Sequence, residues 1–271
     1  MPIEKVINAP PKDLSQFNIL LGGPKKIGKS SLAAQWPNSH LAECEPGNAL
    51  HIRCSYTDIP DIKALDAFLK DASDTEWVQT WILDEISAPY NWILQQTCND
   101  EGVLDPSEVP HGKLWGVIKR RYMERIDKLF GLTGGKILTA HACQKTVKTV
   151  TRKEITTYEC DYGATIRKGL VDPRIHNVWL MDYCNDERVI ILQGDDYYKA
   201  CTANLEEHFK TPEGRSIRIV PLGTRAKEGY ENLINAFNNE LELPEEYLVP
   251  ESSPVTKTSQ PVKKFVFGKG K

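Results

Sequence analysis

Gly23-Pro24-Lys25-Lys26-Ile27-Gly28-Lys29-Ser30 fits the pattern G-x-x-x-x-G-K-[ST] at every position, and its reading decides the fold class. The glycines let successive backbone N–H groups point into one concavity. The helix expected to follow adds its positive N-terminal end, so a polyphosphate is held largely by main chain. On this reading Gly23, Pro24, Lys25, Lys26, Ile27, Gly28, Lys29, Ser30 and Ser31 bind ATP. Lys29 neutralises the β and γ phosphates and Ser30 ligates Mg²⁺. The flanks agree with that mechanism. Asn18 to Leu21 is a short apolar run suited to a buried strand, and Ser30 to Trp36 has helical composition up to Pro37.

Outward from the loop, strands and helices alternate. His40 to Glu45 reads as a second strand, broken at Pro46 and Gly47. Asp61 to Lys70 carries Ile62, Leu65, Phe68 and Leu69 at helical spacing. Val78 to Leu83 is a β-branched and aromatic run closed by Asp84 and Glu85. Residues 99 to 112 read as a loop. Lys113 to Leu132 repeats Trp115, Ile118, Tyr122, Ile126 and Leu129 as an amphipathic helix. Lys136 to Ala140 is a further strand. Gln144 to Tyr158 suggests a protruding hairpin or a mobile loop. Val178 to Asp182 and Arg188 to Gln193 pair around the turn Asn185-Asp186, and a last helix runs near Tyr230 to Leu241. Alternation followed by clustered strands predicts an α/β fold: a mainly parallel sheet flanked by helices, with an antiparallel extension. Residues 1–249 are expected to form one ATP-binding domain, and 250–271 a flexible, lysine-rich tail.

Composition narrows the setting. The 271 residues are 40% hydrophobic and 26% charged, which excludes disorder of the whole chain. Seven cysteines with no C-x-x-C argue against a disulfide framework and point to a reducing cytoplasm. No membrane partner is expected, since no apolar run approaches the length of a span. Residues 251–271 hold five lysines against one glutamate, a net +4, while the whole chain carries −3; the body is therefore acidic, at −7. Any contact with nucleic acid must come from a local basic patch. In the tail, Phe265 and Phe267 are candidates for engaging a partner; non-specific DNA contact and a free end are the alternatives.

A Mg-nucleotide site also needs a carboxylate at the end of a neighbouring strand, and Asp84 fits. Hydrolysis requires a group that activates water. Glu85 directly follows Asp84, and Glu45 ends the second strand; Glu45 is favoured here. His141, at the tip of the strand beside the loop, is placed to sense the γ phosphate. Beyond it, Lys145, Lys148, Arg152 and Lys153 offer cations for DNA phosphates, with Tyr158 and Tyr162 as stacking platforms for unpaired bases. A polar surface hairpin is the plain alternative. The cluster Lys119, Arg120, Arg121, Arg125 and Lys128, interleaved with Glu124 and Asp127, reads as a solvated helix face.

The phosphate loop, the Glu45-Pro46-Gly47 turn and Asp84 resemble a RecA-like P-loop NTPase core. With Lys136 to His141, Thr211 to Arg215 and Ala236 to Asn239, they are similar to the small RecA-like ATPases of bacteriophages, including Sak-type single-strand annealing proteins. The resemblance spans about residues 15 to 240. It implies a Mg-dependent ATPase of phage recombination that binds single-stranded DNA, forms a homo-oligomer and works with a single-stranded DNA-binding protein in the bacterial host cytoplasm. It also implies that the segment after His141 is a DNA-binding loop. Glu85 departs from the family, which commonly carries a small hydroxyl residue there. Two other readings stay open: a nucleotide or small-molecule kinase with Arg120 and Arg121 as a phosphate clamp, and an ATP-responsive loader with little hydrolysis.

Overall fold

Strand β1, Asn18–Gly23, lies at the centre of a nine-stranded sheet in the computed structural model, which describes residues 11–47, 49–148, 154–163 and 167–250. The other strands are β2 (Ser39–Glu43), β3 (Ser55–Asp58), β4 (Thr80–Asp84), β5 (Gly135–Lys148), β6 (Glu154–Asp161), β7 (Asn177–Cys184), β8 (Glu187–Ile191) and β9 (Ile219–Pro221). Their order is β3-β2-β4-β5-β1-β7-β8-β9, with β6 paired to the outer half of β5. Pairing is parallel from β3 through β7 and antiparallel for β7-β8, β8-β9 and β5-β6. This is the α/β architecture expected, antiparallel extension included.

Alternation along β1 feeds two separate cores. Leu20 faces one side with Ala42, Trp81, Leu83 and Leu138, under α2 (Ile62–Ala72), α3 (Ser87–Glu101) and α4 (Lys113–Gly131). Ile19 and Leu21 face the other, with Leu41, Ile82 and Ile137, under α1 (Lys29–Ala33) and α5 (Ala226–Phe237). Central strands buried on both faces read as continuous apolar runs, which is why β1, β4 and β5 stand out in the sequence. Asp61 caps α2 by accepting from the Ala64 N–H at 2.8 Å.

Some elements depart from expectation. Strand β3, Ser-Tyr-Thr-Asp at an exposed edge, has no apolar pattern to reveal it. Helix α3 went unseen because Tyr90, Trp92, Ile93 and Leu94 run round it rather than along one stripe. For the segment after His141 the hairpin alternative holds: it is a two-stranded antiparallel ribbon, with β5 extended to Lys148. As expected, the turn Asn185-Asp186 joins β7 to β8, with both residues at positive φ, +50° and +65°.

Gly134 is the connection that fixes β5 against β4. Its φ is +81°, and a Cβ there would stand 2.2 Å from the Gln79 carbonyl oxygen. Gly134→Ala is expected to cost about 1–3 kcal/mol in a chemical denaturation curve. No helix among the described residues is long and apolar enough to cross a membrane. All seven cysteines are free thiols. Arg152, Lys153 and the tail from residue 251 lie outside the described residues.

Candidate functional site

The loop after β1 is shaped by residues with unusual backbone. Lys26 has φ +65° and Gly28 φ +103°, and α1 starts immediately afterwards. Ile27 is buried at 2% exposure and pins the loop to the core, while Lys25 and Lys26 stay exposed. Lys29 is folded inward: its Nζ donates to the carbonyls of Gly23 at 3.0 Å and Pro24 at 3.1 Å. Burial pushes its pKa down, opposed by the charges of Asp84, Glu85 and Glu45. A buried ammonium beside the loop is suited to seat an anion.

Ser30 and Asp84 meet. The Ser30 hydroxyl donates to Asp84 Oδ2 at 2.6 Å, joining the start of α1 to the end of β4. The Thr139 hydroxyl on β5 donates to the other oxygen, Oδ1. Asp84 is 2% exposed, so its carboxylate is aimed by these partners rather than by solvent. A hydroxyl and a carboxylate oxygen are hard donors of the kind magnesium takes, and the pair fits a Mg²⁺ ion that keeps most of its water.

The two glutamates and the histidine also converge. His141 Nε2 lies 3.3 Å from Glu45 Oε1 and 3.8 Å from Glu85 Oε2. The three donors lie within 4.8 Å of one another, the one such group of metal-ligating side chains among the described residues. Their settings differ. The Glu85 side chain is 4% exposed and accepts from the Ser87 hydroxyl at 2.8 Å, whereas the Glu45 side chain is 39% exposed. Burial raises the Glu85 pKa; the Ser87 hydroxyl and the His141 charge work against it. Glu45 is positioned from below. The backbone N–H groups of Cys44 and Glu45 donate to the Asp84 carbonyl at 2.5 and 3.2 Å, and buried Glu43 accepts from the Ala49 N–H at 2.7 Å.

Sequence reasoning passed over Glu43, Thr139 and Arg188. Arg188, on β8, bridges the loop and the antiparallel extension: its Nη1 reaches the Ile27 carbonyl at 3.4 Å and its Nη2 the Gly223 carbonyl at 2.9 Å. A Cβ on Gly28 would stand 3.0 Å from that Nη1. Only the strand order brings it there, and no local signal in the sequence marks it.

The expected DNA residues divide. Lys145 pairs with Glu159 at 3.0 Å and Asp161 at 3.4 Å, and Lys148 with Glu154 at 3.5 Å, across the β5-β6 ribbon. Tyr158 is corrected: it is 7% exposed and offers no face to a base. It stacks on Tyr197 at 6.1 Å and meets Tyr198 edge-on at 5.7 Å. The reason is that residues 197–199 hydrogen-bond to both sides of its backbone and roof it over. Tyr162 is likewise buried, its hydroxyl on Asp172. The second basic cluster is a paired helix face, with Arg121 on Thr97 and Asp100 of α3 and Arg125 on Asp66 of α2.

A profile of the AAA domain matches residues 15–200, more than two thirds of the chain. No curated protein matches the sequence. Among solved structures, the flagellar accessory protein FlaH from Methanocaldococcus jannaschii aligns at 13% identity and a TM-score of 0.36, over 79% of this chain and 88% of its own.

Proposed function

Since this chain belongs to the AAA domain family of P-loop ATPases, we propose that it binds ATP with Mg²⁺ and hydrolyses it. The observation that carries this reading is the Ser30–Asp84 contact at 2.6 Å beside the inward-folded Lys29. Main-chain amides of residues 24–29 cradle the phosphates. On binding, Lys29 exchanges two carbonyl partners for phosphate oxygens, a stronger charge-assisted contact. Magnesium, held through Ser30 and Asp84, supplies charge neutralisation of the phosphates.

Water activation is assigned to Glu85 rather than Glu45. A carboxylate with a raised pKa, fixed by Ser87 and adjoining Asp84, is a better proton acceptor than a half-exposed one. His141, between the two glutamates, positions them and responds to the γ phosphate.

The partner proposed is single-stranded DNA, in recombination by strand annealing in the cytoplasm, with the chain assembled as a homo-oligomer alongside a single-stranded DNA-binding protein. What supports it is continuity: β5 carries Thr139 and His141 and runs unbroken to Lys148, and Arg152 and Lys153 fall in the sequence between β5 and β6. A phosphate-dependent shift at His141 is thereby transmitted along one strand. The test is Mg-dependent ATP turnover with and without single-stranded DNA, together with DNA affinity of Arg152→Ala/Lys153→Ala across a salt series. Turnover is expected to rise with DNA, and the variant's log–log salt slope to fall by about 1.4 for two lost phosphate contacts on a single strand. Unchanged affinity and slope would remove the ribbon from the DNA reading and leave the ATPase reading standing.

A further inference from the structure

A groove of about 1050 Å³ lies on the side of the molecule formed by the antiparallel extension, away from the ATP-site residues described above. Its floor is apolar, from Val189, Ile191 and Ile219 of β8 and β9. Tyrosines form its walls: Tyr183, Tyr197, Tyr198 and Tyr247, of which Tyr183 is 45% exposed. The rim is acidic. Glu154, Asp195, Asp196 and Glu246 stand there against a single cation, Arg218, itself paired with Asp195. Such a site repels phosphate groups and favours a cationic ligand with aromatic side chains.

The chain itself ends its described course in this groove. Val249 donates its N–H to the Ser216 carbonyl at 2.9 Å, Leu248 bridges Ile217, and Val249 and Pro250 are part of the groove lining. The next 21 residues, from Glu251 to Lys271, are those with a net charge of +4. They include Lys263-Lys264-Phe265-Val266-Phe267. In extended form Phe265 and Phe267 share one face, with Lys264 and Val266 on the other. Two rings on one side suit an apolar floor, and the flanking lysines suit a carboxylate rim.

We propose that residues 263–267 dock in this groove of their own chain. Fourteen residues separate Pro250 from Phe265. A flexible coil of that length spans roughly 20 Å on average, which puts the groove within the segment's reach. Tethering of that length supplies a millimolar effective concentration, and a weak contact is enough to keep the groove filled. Docking covers the Tyr183 ring and sets a basic strap beside Glu154 and Thr156 at the outer part of β6. The inference is independent of the nucleotide reading.

The test uses the full chain with p-benzoylphenylalanine in place of Phe265, irradiated in dilute solution and mapped by mass spectrometry. The expected product is a cross-link within one chain to residues 183–198 or 246–250. Lys263→Glu/Lys264→Glu, which alters only the tail, should lower its yield at least about fivefold, and Asp196→Lys/Glu246→Lys should do the same. Absence of a cross-link, a map to another surface, cross-links only between two copies, or a yield unaffected by the tail charges would each overturn the proposal.

Discussion

Lys29→Met is expected to abolish measurable ATP binding while leaving the fold in place. Methionine keeps an unbranched stem in a position that is 7% exposed and removes only the ammonium. Charge-assisted hydrogen bonds are worth about 1.5–3 kcal/mol each, so losing Lys29 from two phosphates weakens binding by at least about 100-fold. The buried charge also has a cost in the nucleotide-free protein, because burial lowers the Lys29 pKa. A lysine with a depressed folded-state pKa destabilises the fold wherever it is protonated; that penalty fades as pH rises through the folded pKa and is gone above the unfolded one. Near neutral pH the variant therefore escapes it. The measurement is a thermal melt with and without Mg-ATP. The parent should gain stability with nucleotide, by about 2.7 kcal/mol at a hundredfold excess over its Kd, and Lys29→Met should gain no more than about 0.4 kcal/mol at the same concentration. An equal nucleotide-dependent shift in both proteins would end the assignment of the loop.

The second large effect separates the two glutamates. Glu85→Gln should lower kcat by about 10²–10⁴ with ATP affinity retained, and Glu45→Gln by less than about tenfold. The converse ranking would return water activation to Glu45. Glu85→Gln carries a stability signature as well. Its folded-state pKa is raised by burial, so its contribution is favourable below the unfolded pKa, near 4.3, and is lost as pH rises through the folded value. At neutral pH the parent bears a buried carboxylate that the variant lacks. The variant should thus melt higher at pH 7.5 than the parent, with the gap closing toward pH 4. Lower turnover joined to a higher melting temperature is what a desolvated catalytic base produces, and a merely structural glutamate would give the opposite sign.

The phosphate loop, Asp84 and strands β1, β2, β4 and the start of β5 were legible because each leaves a local mark. A glycine pattern is needed for backbone turns, and doubly buried strands require unbroken apolar runs. The whereabouts of Tyr158 were not legible. An aromatic residue in a polar stretch suits a base-stacking surface as well as a core, and only residues 197–199, pairing with its backbone from nearly forty positions away, decide for the core. Helix α3 and edge strand β3 escaped for a similar reason, since neither has one face polar and the other apolar.

From the sequence alone came the candidate groups: a loop at residues 23–31 proposed to cradle an anion, Asp84 proposed to meet the metal, two rival glutamates and a histidine. The grounds on which we rank them came only from the tertiary structure. Glu85 is desolvated and held by Ser87, Glu45 faces solvent, Thr139 clamps the far oxygen of Asp84, and Arg188 arrives from β8. Residue types and spacing specify which groups are available, whereas burial and partner geometry set the charge each one carries. Those depend on strands distant in the chain becoming neighbours in the sheet.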